Sequence, residues 1–332
     1  MSHSKPREMQ RVSPTRVQSL RVLIAATLTA GTTMVAGAAE LYVGGATVSI
    51  TPDRPVALAG QMHTRIAKVV ESPATATALA LESRDGDASL DAAVLVSCDL
   101  VAIDAVVLDQ TRRLVKDRLP DLDVRKLVLN ATHTHTAPVT REGSYEIPEA
   151  GVMQPGEYVK FLSDRVADAV VKAWESRRPG RAGWGLGHAV LGQNRRSVYA
   201  DGRAVMYGPT DKPDFRRIEG PEDHGVEVLF FWNTDGKLIA TAVNLACPSQ
   251  EVEGLSVVNA DFWHQVRESL RAKHGKDLLV LGWTGAAGDQ SPHLMYRKKA
   301  EERMRALRGL SRLDELAMRI TAAWEEAYEG AS

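Results

Sequence analysis

The sequence predicts an α/β fold in which a mixed β-sheet is covered by helices on its faces, within a single domain. Continuous apolar runs, such as DAAVLVSCDL at 91–100, suit strands that are buried on both faces of a sheet. Residues 156–178 carry apolar side chains at the spacing of an amphipathic helix. The segment 91–132 reads strand, helix, strand, which is typical of a βαβ unit.

The composition is that of an ordinary soluble globular protein. The chain has 332 residues, 44% of them hydrophobic and 25% charged. Its net charge is −1, from 41 basic and 42 acidic residues, so it carries no electrostatic footprint for nucleic acid. The two cysteines, Cys98 and Cys247, form no CxxC pair, which excludes a disulfide framework and a zinc finger.

The N-terminal segment has the pattern of a secretory signal peptide over 1–39. Five basic residues precede an uncharged stretch at 22–39, and small residues stand at Ala36 and Ala38. We expect cleavage after Ala38 or Ala39, which sends the mature protein to the periplasm or outside the cell. A retained anchor is the alternative, but the stretch is short and rich in Thr and Gly for a spanning helix. No other segment is apolar enough to span a membrane.

The first half of the mature chain alternates strands with one helix. An opening strand ends at Pro52, and two strands at 75–83 and 91–100 flank an Asp-Gly turn. A helix follows at 103–119, and a strand at 124–132.

The second half is predicted to hold a hairpin and three helical segments. Residues 137–156 read as a loop, and the helix at 156–178 stops before Pro179. The other predicted elements are a strand at 182–191, a polar segment to 224, a hairpin of 226–233 with 237–247, a helix at 259–275, a strand at 277–283 and helical structure at 297–329.

The sharpest motif is the His-Thr-His sequence within residues 130–138. Residues two apart on a strand point to the same face, so His133 and His135 can converge on one metal. They can also divide the work between metal and substrate. The alternative is a pair of exposed loop histidines without a chemical role.

A second motif follows the strand at 277–283 and reads Gly-Asp-Gln-Ser-Pro at 288–292. A strand that ends in small residues brings backbone N–H groups and the Ser291 hydroxyl to a tight turn, which can aim a nucleophile or an oxyanion-binding donor. The alternative is a plain turn. Both motifs follow apolar strands, where open α/β sheets bind their ligands.

These two motifs resemble segments of the neutral, non-lysosomal ceramidases. ATHTHTAP at 131–138 is similar to their ATHTHSGP segment, and GAAGDQSP at 285–292 resembles their GDVSPN segment. Three further segments of the chain resemble that family in the same order: 45–52, 193–197 and 244–249. The resemblance covers roughly residues 44 to 295.

The resemblance implies a zinc-dependent amidohydrolase that acts on a small-molecule or lipid N-acyl substrate. By that resemblance His133 binds Zn²⁺ and His135 lies beside the reacting carbonyl. Ser291 serves as nucleophile or as hydrogen-bonding partner of the attacking oxygen, and Arg195 orients the substrate.

The sequence departs from the family pattern at the second zinc histidine. That histidine should follow the strand near Ala246, where this chain has Cys247 and no histidine. Cys247 can replace it as a thiolate ligand, or the metal is lost or altered. The family's remaining ligands, a Glu and a Tyr, lie C-terminal to the matched region. We therefore expect residues 40–332 to be a catalytic domain whose C-terminal part is missing.

The sequence-based hypothesis is zinc-dependent hydrolysis of an amide or ester bond. Two rivals stay open: a ceramidase-like module that binds without cleaving, and a metal-independent serine esterase that uses Ser291. Asp99, at the end of a strand, is expected either to orient His133 or to cap the next helix.

Overall fold

A mixed β-sheet of eight strands forms the centre of the protein. The computed structural model describes residues 39–331, so the predicted signal peptide lies outside the described residues apart from Ala39. Within those residues no helix is long and apolar enough to cross a bilayer. The helices are α1 (Ala105–Arg118), α2 (Pro155–Glu175), α3 (Phe262–His274), α4 (Lys298–Arg308) and α5 (Arg312–Ala331). The strands are β1 (Glu40–Ser49), β2 (Val56–Leu58), β3 (Arg65–Ala67), β4 (Thr75–Asp85), β5 (Ala88–Cys98), β6 (Leu127–Ala131), β7 (Arg178–His188), β8 (Gln193–Asn194), β9 (Arg196–Tyr199), β10 (Ala204–Met206), β11 (Phe215–Ile218), β12 (Gly225–Asn233), β13 (Leu238–Leu245), β14 (Leu279–Thr284) and β15 (Gln290–Ser291).

The strand order of the large sheet is β14, β13, β12, β7, β1, β4, β5, β6. The inner pairs are antiparallel, while β13–β14 and β5–β6 at the two ends are parallel. Each parallel pair is joined by a helix, α3 and α1 respectively, because parallel neighbours need a crossover connection. The strand that precedes each reactive motif, β6 or β14, is therefore an end strand of the sheet.

The sheet folds over so that its two halves face each other. A buried apolar cluster joins side chains of both halves, among them Leu79 of β4 and Leu281 of β14. The Ser97 hydroxyl donates to the Gly282 carbonyl oxygen at 2.7 Å, and the Asn130 side chain donates to the same oxygen at 3.1 Å. As a result, β6 and β14 lie together although they stand at opposite ends of the strand order.

Helices cover the outer face of each half, which gives four layers. Helices α1 and α2 pack outside β1, β4 and β5, and α3 and α5 pack outside the other half. Successive side chains of a strand point to opposite faces of the sheet, so each strand contributes to two apolar clusters. On β4, Ala76, Ala78 and Ala80 pack towards α2, while Leu79 points inward. Glycines on β7 allow close helix approach, since a Cβ on Gly187 would overlap the Ala323 backbone of α5.

The predicted fold class is confirmed, as are the βαβ unit, both hairpins and the long amphipathic helix. Two regions differ from the prediction. The polar segment before residue 224 contains a small sheet of β9, β10 and β11. The last helical stretch is two helices, because Gly309 takes a left-handed φ of +65° that ends α4.

Candidate active site

The His-Thr-His segment begins where β6 ends, at Ala131. His133 takes a left-handed φ of +62°, a conformation that costs a non-glycine residue about 1–2 kcal/mol. This turn, rather than the alternation of a strand, brings the rings together: the Nε2 atoms of His133 and His135 are 3.2 Å apart. The predicted convergence is correct, but its predicted geometrical cause was wrong.

Surrounding residues hold this strained segment in place. Thr134 donates its backbone N–H to Leu100, and both threonine hydroxyls, of Thr134 and Thr136, donate to the Asn259 carbonyl at 2.9 and 2.7 Å. The buried Arg65 guanidinium donates to the His135 carbonyl oxygen at 2.6 Å. A strained backbone persists only where neighbouring contacts determine it, and these contacts do so.

The hydrogen-bonding partners of the two rings fix their tautomers. His133 Nδ1 lies 2.7 Å from the Val101 carbonyl oxygen, which can only accept, so the proton is on Nδ1 and the lone pair is on Nε2. His135 Nδ1 lies 2.9 Å from Glu253 Oε2, an ion-pair contact outside hydrogen-bond geometry, so the tautomer of His135 is indicated by the Gln250 amide at its other nitrogen. The Gln250 side-chain nitrogen is 2.7 Å from His135 Nε2. Both imidazoles therefore direct a basic nitrogen into the same space.

Burial and neighbouring charges shift the pKa values in this region. Burial is the main cause that lowers the pKa of His133, and the adjacent His135 lowers it further. Burial alone would raise the pKa of Glu253, but its contact with His135 and the charges of His135 and His293 outweigh burial and lower it. Glu253 is accordingly an anion that lies beside the His135 ring.

Ser291 lies in β15, which pairs with β8, and its side chain is fully buried. The hydroxyl oxygen accepts from Tyr207 Oη at 3.0 Å and from the His293 backbone N–H at 3.1 Å. Neither partner is a base. Within residues 39–331, Ser291 Oγ is held by two donors and has no hydrogen-bonding partner that would take its proton.

Arg195 lies between β8 and β9 and faces the Ser291 turn. Its guanidinium donates to the Gly288 carbonyl at 2.8 Å and to Tyr207 Oη at 3.2 Å. A third contact, of 3.5 Å, reaches Gln250 Oε1. Tyr207 itself has a left-handed φ of +54° and bonds back to the Arg195 backbone.

The loop after β13 joins the histidine pair to the serine turn. His293 Nε2 lies 2.8 Å from the Gln250 carbonyl oxygen, and His293 Nδ1 is 3.7 Å from Glu253. The structure thus brings four of the predicted site residues into one polar network: His133, His135, Arg195 and Ser291. The network contains four further residues that the sequence analysis did not single out: Tyr207, Gln250, Glu253 and His293. Gln250 and Glu253 stand just beyond the matched segment 244–249, which was the available signal.

Cys247 lies apart from this network. Its side chain is 1% exposed and packs in the apolar cluster under α3 and α5. The nearest polar contact of the sulfur is the Pro248 carbonyl oxygen at 3.8 Å. Burial raises the pKa of the thiol well above its ordinary value. Its assignment as a zinc ligand stays a prediction.

The described residues do not supply a full zinc site. Catalytic zinc sites generally use three protein ligands and leave a fourth position for water. Residues 39–331 contain no group of three or more His, Cys, Asp or Glu side chains that could hold a metal ion. The two imidazole nitrogens suit zinc in kind, but within this part of the chain they do not complete such a set.

Asp99 has neither of the two roles expected from the sequence. It forms a buried two-point ion pair with Arg267, at 2.7 and 2.8 Å, and accepts from Thr75. The Val101 carbonyl orients His133 instead, and Asp104 is the N-cap of α1. The sequence did not indicate this ion pair, because Arg267 lies far along the chain, on α3.

The fold has counterparts among solved structures. The neutral ceramidase from Pseudomonas aeruginosa matches with a TM-score of 0.67 and 17% identity, over 88% of this chain and 45% of that chain. The fold is that of neutral ceramidase. A structure described as ceramidase complexed with C2 matches with a TM-score of 0.65 and 17% identity, over 88% and 44% of the two chains. No family model and no curated protein matches this chain.

The ceramidase-like fold agrees with the resemblance that the two motifs indicate. This chain spans less than half the length of the ceramidase chains it matches. At 17% identity the likeness establishes the fold, and the chemistry must be argued from the site.

Proposed function

We propose that this ceramidase-like domain is a hydrolase that cleaves an amide or ester bond of a small-molecule or lipid N-acyl substrate. The observation that carries the proposal is the ion-pair contact between His135 Nδ1 and Glu253, which is 2.9 Å long and largely buried. A carboxylate on one ring nitrogen leaves the other nitrogen as a base and stabilises the imidazolium that forms.

His135 acts as the general base and then as the general acid. Its Nε2, at which a water molecule displaces the Gln250 amide, takes a proton from that water while the water oxygen attacks the carbonyl carbon. The tetrahedral intermediate then loses the amine or alcohol, and His135 returns the proton to the leaving nitrogen or oxygen. Such proton transfer contributes about 10²–10⁴-fold in rate.

Arg195 and the Ser291 turn act on the oxygen atoms of the reaction. We assign Ser291 the role of hydrogen-bonding partner of the attacking oxygen, because its hydroxyl has donors around it and no base. Arg195 orients the substrate and Tyr207 together. A single donor to an oxyanion is worth about 10²–10³ in rate.

Zinc remains part of the proposal as a separate prediction, with His133 Nε2 as its first ligand. A zinc ion would polarise the carbonyl and acidify water, but we derive no step through it, since its ligand set is incomplete within residues 39–331. Metal content of the purified protein tests it: His133→Ala should lose the bound zinc. An unchanged zinc content in His133→Ala rules out the assignment.

The test of function is a panel of N-acyl amides and matched esters, assayed with and without a chelator. Wild type should hydrolyse members of the panel, and Glu253→Gln should do so at least tenfold more slowly. Loss of activity with chelator supports the zinc-dependent form, and full activity with chelator supports the metal-independent esterase. Absence of hydrolysis throughout, with substrate bound, supports the binding module instead.

Export is proposed from the signal-like segment 1–39. The mature protein recovered from the periplasm or medium should begin at Ala39 or Glu40. N-terminal sequencing checks this, and an intact Met1 chain in the cytosol would contradict it.

A further inference from the structure

A cavity of about 810 Å³ opens beside the Ser291 turn, between the segment that follows Tyr207 and the start of α4. Tyr207 and His293 form part of its wall, and both also bond to Ser291 Oγ. The wall continues with the apolar side chains of Leu294 and Met295. The cavity is therefore adjacent to the proposed reaction site and large enough for part of a substrate.

The cavity wall carries four basic side chains: Arg297, Lys298, Arg305 and Arg312. Only Arg312 is well paired, with Glu315 at 2.7 Å. Among the described residues, the side chains of Arg297 and Lys298 have no hydrogen bond or ion pair. Arg305 Nη1 is buried without a hydrogen-bond partner, and its nearest carboxylate, on Glu315, lies 3.7 Å away.

The acidic side chains of the wall do not offset these charges. They are Asp211, Glu251 and Glu302. Burial raises the pKa of Glu251 to about 7, so at neutral pH this carboxyl is ionised only in part. Glu251 Oε2 has no hydrogen-bond partner but lies 3.6 Å from Arg312, whereas Arg305 Nη1 is a buried donor without a hydrogen-bond partner. Buried polar groups without partners are costly, and they are commonly satisfied by a ligand or water.

We propose that this cavity binds an anionic group of the substrate, a carboxylate or a phosphate, through Arg297, Lys298 and Arg305. The inference rests on the proposed function and narrows it to acidic N-acyl compounds, of which N-acyl amino acids are the simplest. Charge-assisted hydrogen bonds to a guanidinium or ammonium group are the strongest available to such an anion. The neighbouring Leu294 and Met295 contact the apolar part of the same molecule.

The first experiment measures binding without turnover. The full chain carrying His135→Ala, which lacks the proposed base and keeps the cavity, is titrated calorimetrically with N-octanoylglycine and with its neutral analogue N-octanoylglycinamide. N-octanoyl-phosphoethanolamine and N-octanoylethanolamine form the second pair, which separates phosphate from carboxylate recognition. The acidic member of at least one pair should bind about tenfold more tightly, and the difference should shrink at high ionic strength.

The second experiment locates the anion. Arg297→Gln combined with Lys298→Gln should weaken binding of the acidic compound about three- to tenfold and leave the neutral one unchanged. Both side chains are exposed, so the fold should survive. Lys299→Gln removes one positive charge from the next residue of α4, which does not line the cavity, and is the control for the effect of each lost charge.

The outcomes separate this inference from the proposed function. If the acidic and neutral members of both pairs bind equally, the inference is overturned, even when wild type hydrolyses all four compounds. If the double variant and Lys299→Gln weaken binding equally, the anion is not in the cavity. If acidic compounds bind selectively but none is hydrolysed by wild type, the anion site stands and the hydrolase proposal fails.

Discussion

The histidine segment at 132–138 and the serine turn at 285–293 meet in one network, yet they are built differently. The histidine segment is closed: its backbone is bonded to neighbouring loops, and His135 is 8% exposed. The serine turn adjoins an open cavity whose basic side chains are largely unpaired. The contrast suggests that the rigid region performs the chemistry and the open region selects the substrate.

The largest expected effect tests the rigid region directly. His135→Ala should lower kcat by about 10²–10⁴-fold with little change in KM, because it removes the base and leaves the cavity intact. Steady-state kinetics on an N-acyl amide measures both constants. The Arg297→Gln variant should show the opposite pattern, a raised KM with kcat nearly unchanged. If His135→Ala instead raises KM and preserves kcat, the division of roles is wrong.

The sequence was sufficient to predict most strands of the large sheet and its covering helices, but not how the ends of the sheet meet. Strands β4, β5, β12 and β13 and helix α2 follow from apolar patterns that are set within each segment. The contact between β6 and β14 depends on the folding of the whole sheet, to which every strand contributes. Local periodicity contains no information on that long-range step.

The residues of the candidate site also differ in whether local sequence or long-range contacts determine their role. His133, His135 and Ser291 belong to compact motifs, so the sequence identified them. Glu253 could not be recognised from the sequence alone, because its role depends on a loop held over His135. Arg65 holds that loop, since it donates to the Glu253 and His135 carbonyls at 2.7 and 2.6 Å.

The next prediction tests the support beneath the histidine segment. Asp99→Asn should lower the free energy of unfolding by about 3–5 kcal/mol, because it leaves the buried Arg267 without its counter-charge. Urea denaturation measures the change. Asp164→Asn, which breaks an exposed ion pair with Lys160, is the control and should cost about 0.5 kcal/mol or less. Equal effects in the two variants would mean that the Asp99 pair provides no special support.

Gly60 tests whether the position of His135 matters at the scale of a methyl group. Gly60 has a φ of +100°, and a Cβ there would lie 2.7 Å from His135 Nδ1. Gly60→Ala should displace the ring and lower kcat about 10²-fold. Gly143→Ala is the control, since Gly143 has a φ of +71° with open space around it. Gly143→Ala also places an alanine at a positive φ, but its Cβ does not contact the His135 ring. Comparable losses of activity in the two variants would therefore show that backbone strain alone is responsible.

The smallest expected effect lies in the open region and concerns stability against pH. Burial, with a smaller contribution from the nearby Asp261, raises the pKa of Glu251 from 4.5 to about 7 against the opposing charges of Arg312, His293 and Arg305. Below about pH 4.5 the carboxyl is protonated in both the folded and the unfolded chain. Between pH 4.5 and 7 the unfolded chain releases the proton while the folded chain keeps it, so stability falls as pH rises.

Glu251→Gln removes that titration and should therefore gain stability relative to wild type as pH rises from 5 to 8. Between pH 5 and 8 the change corresponds to about 2–3 kcal/mol, measured as the difference in free energy of unfolding between the two proteins. Asp261 titrates in both proteins, so its contribution cancels in that difference. Glu302→Gln, which removes an exposed acid from the same wall, is the control for the loss of a negative charge. Parallel curves for wild type and Glu251→Gln would mean that the pKa of Glu251 is the same in the folded and the unfolded chain. The open region would then not raise the pKa of this carboxyl.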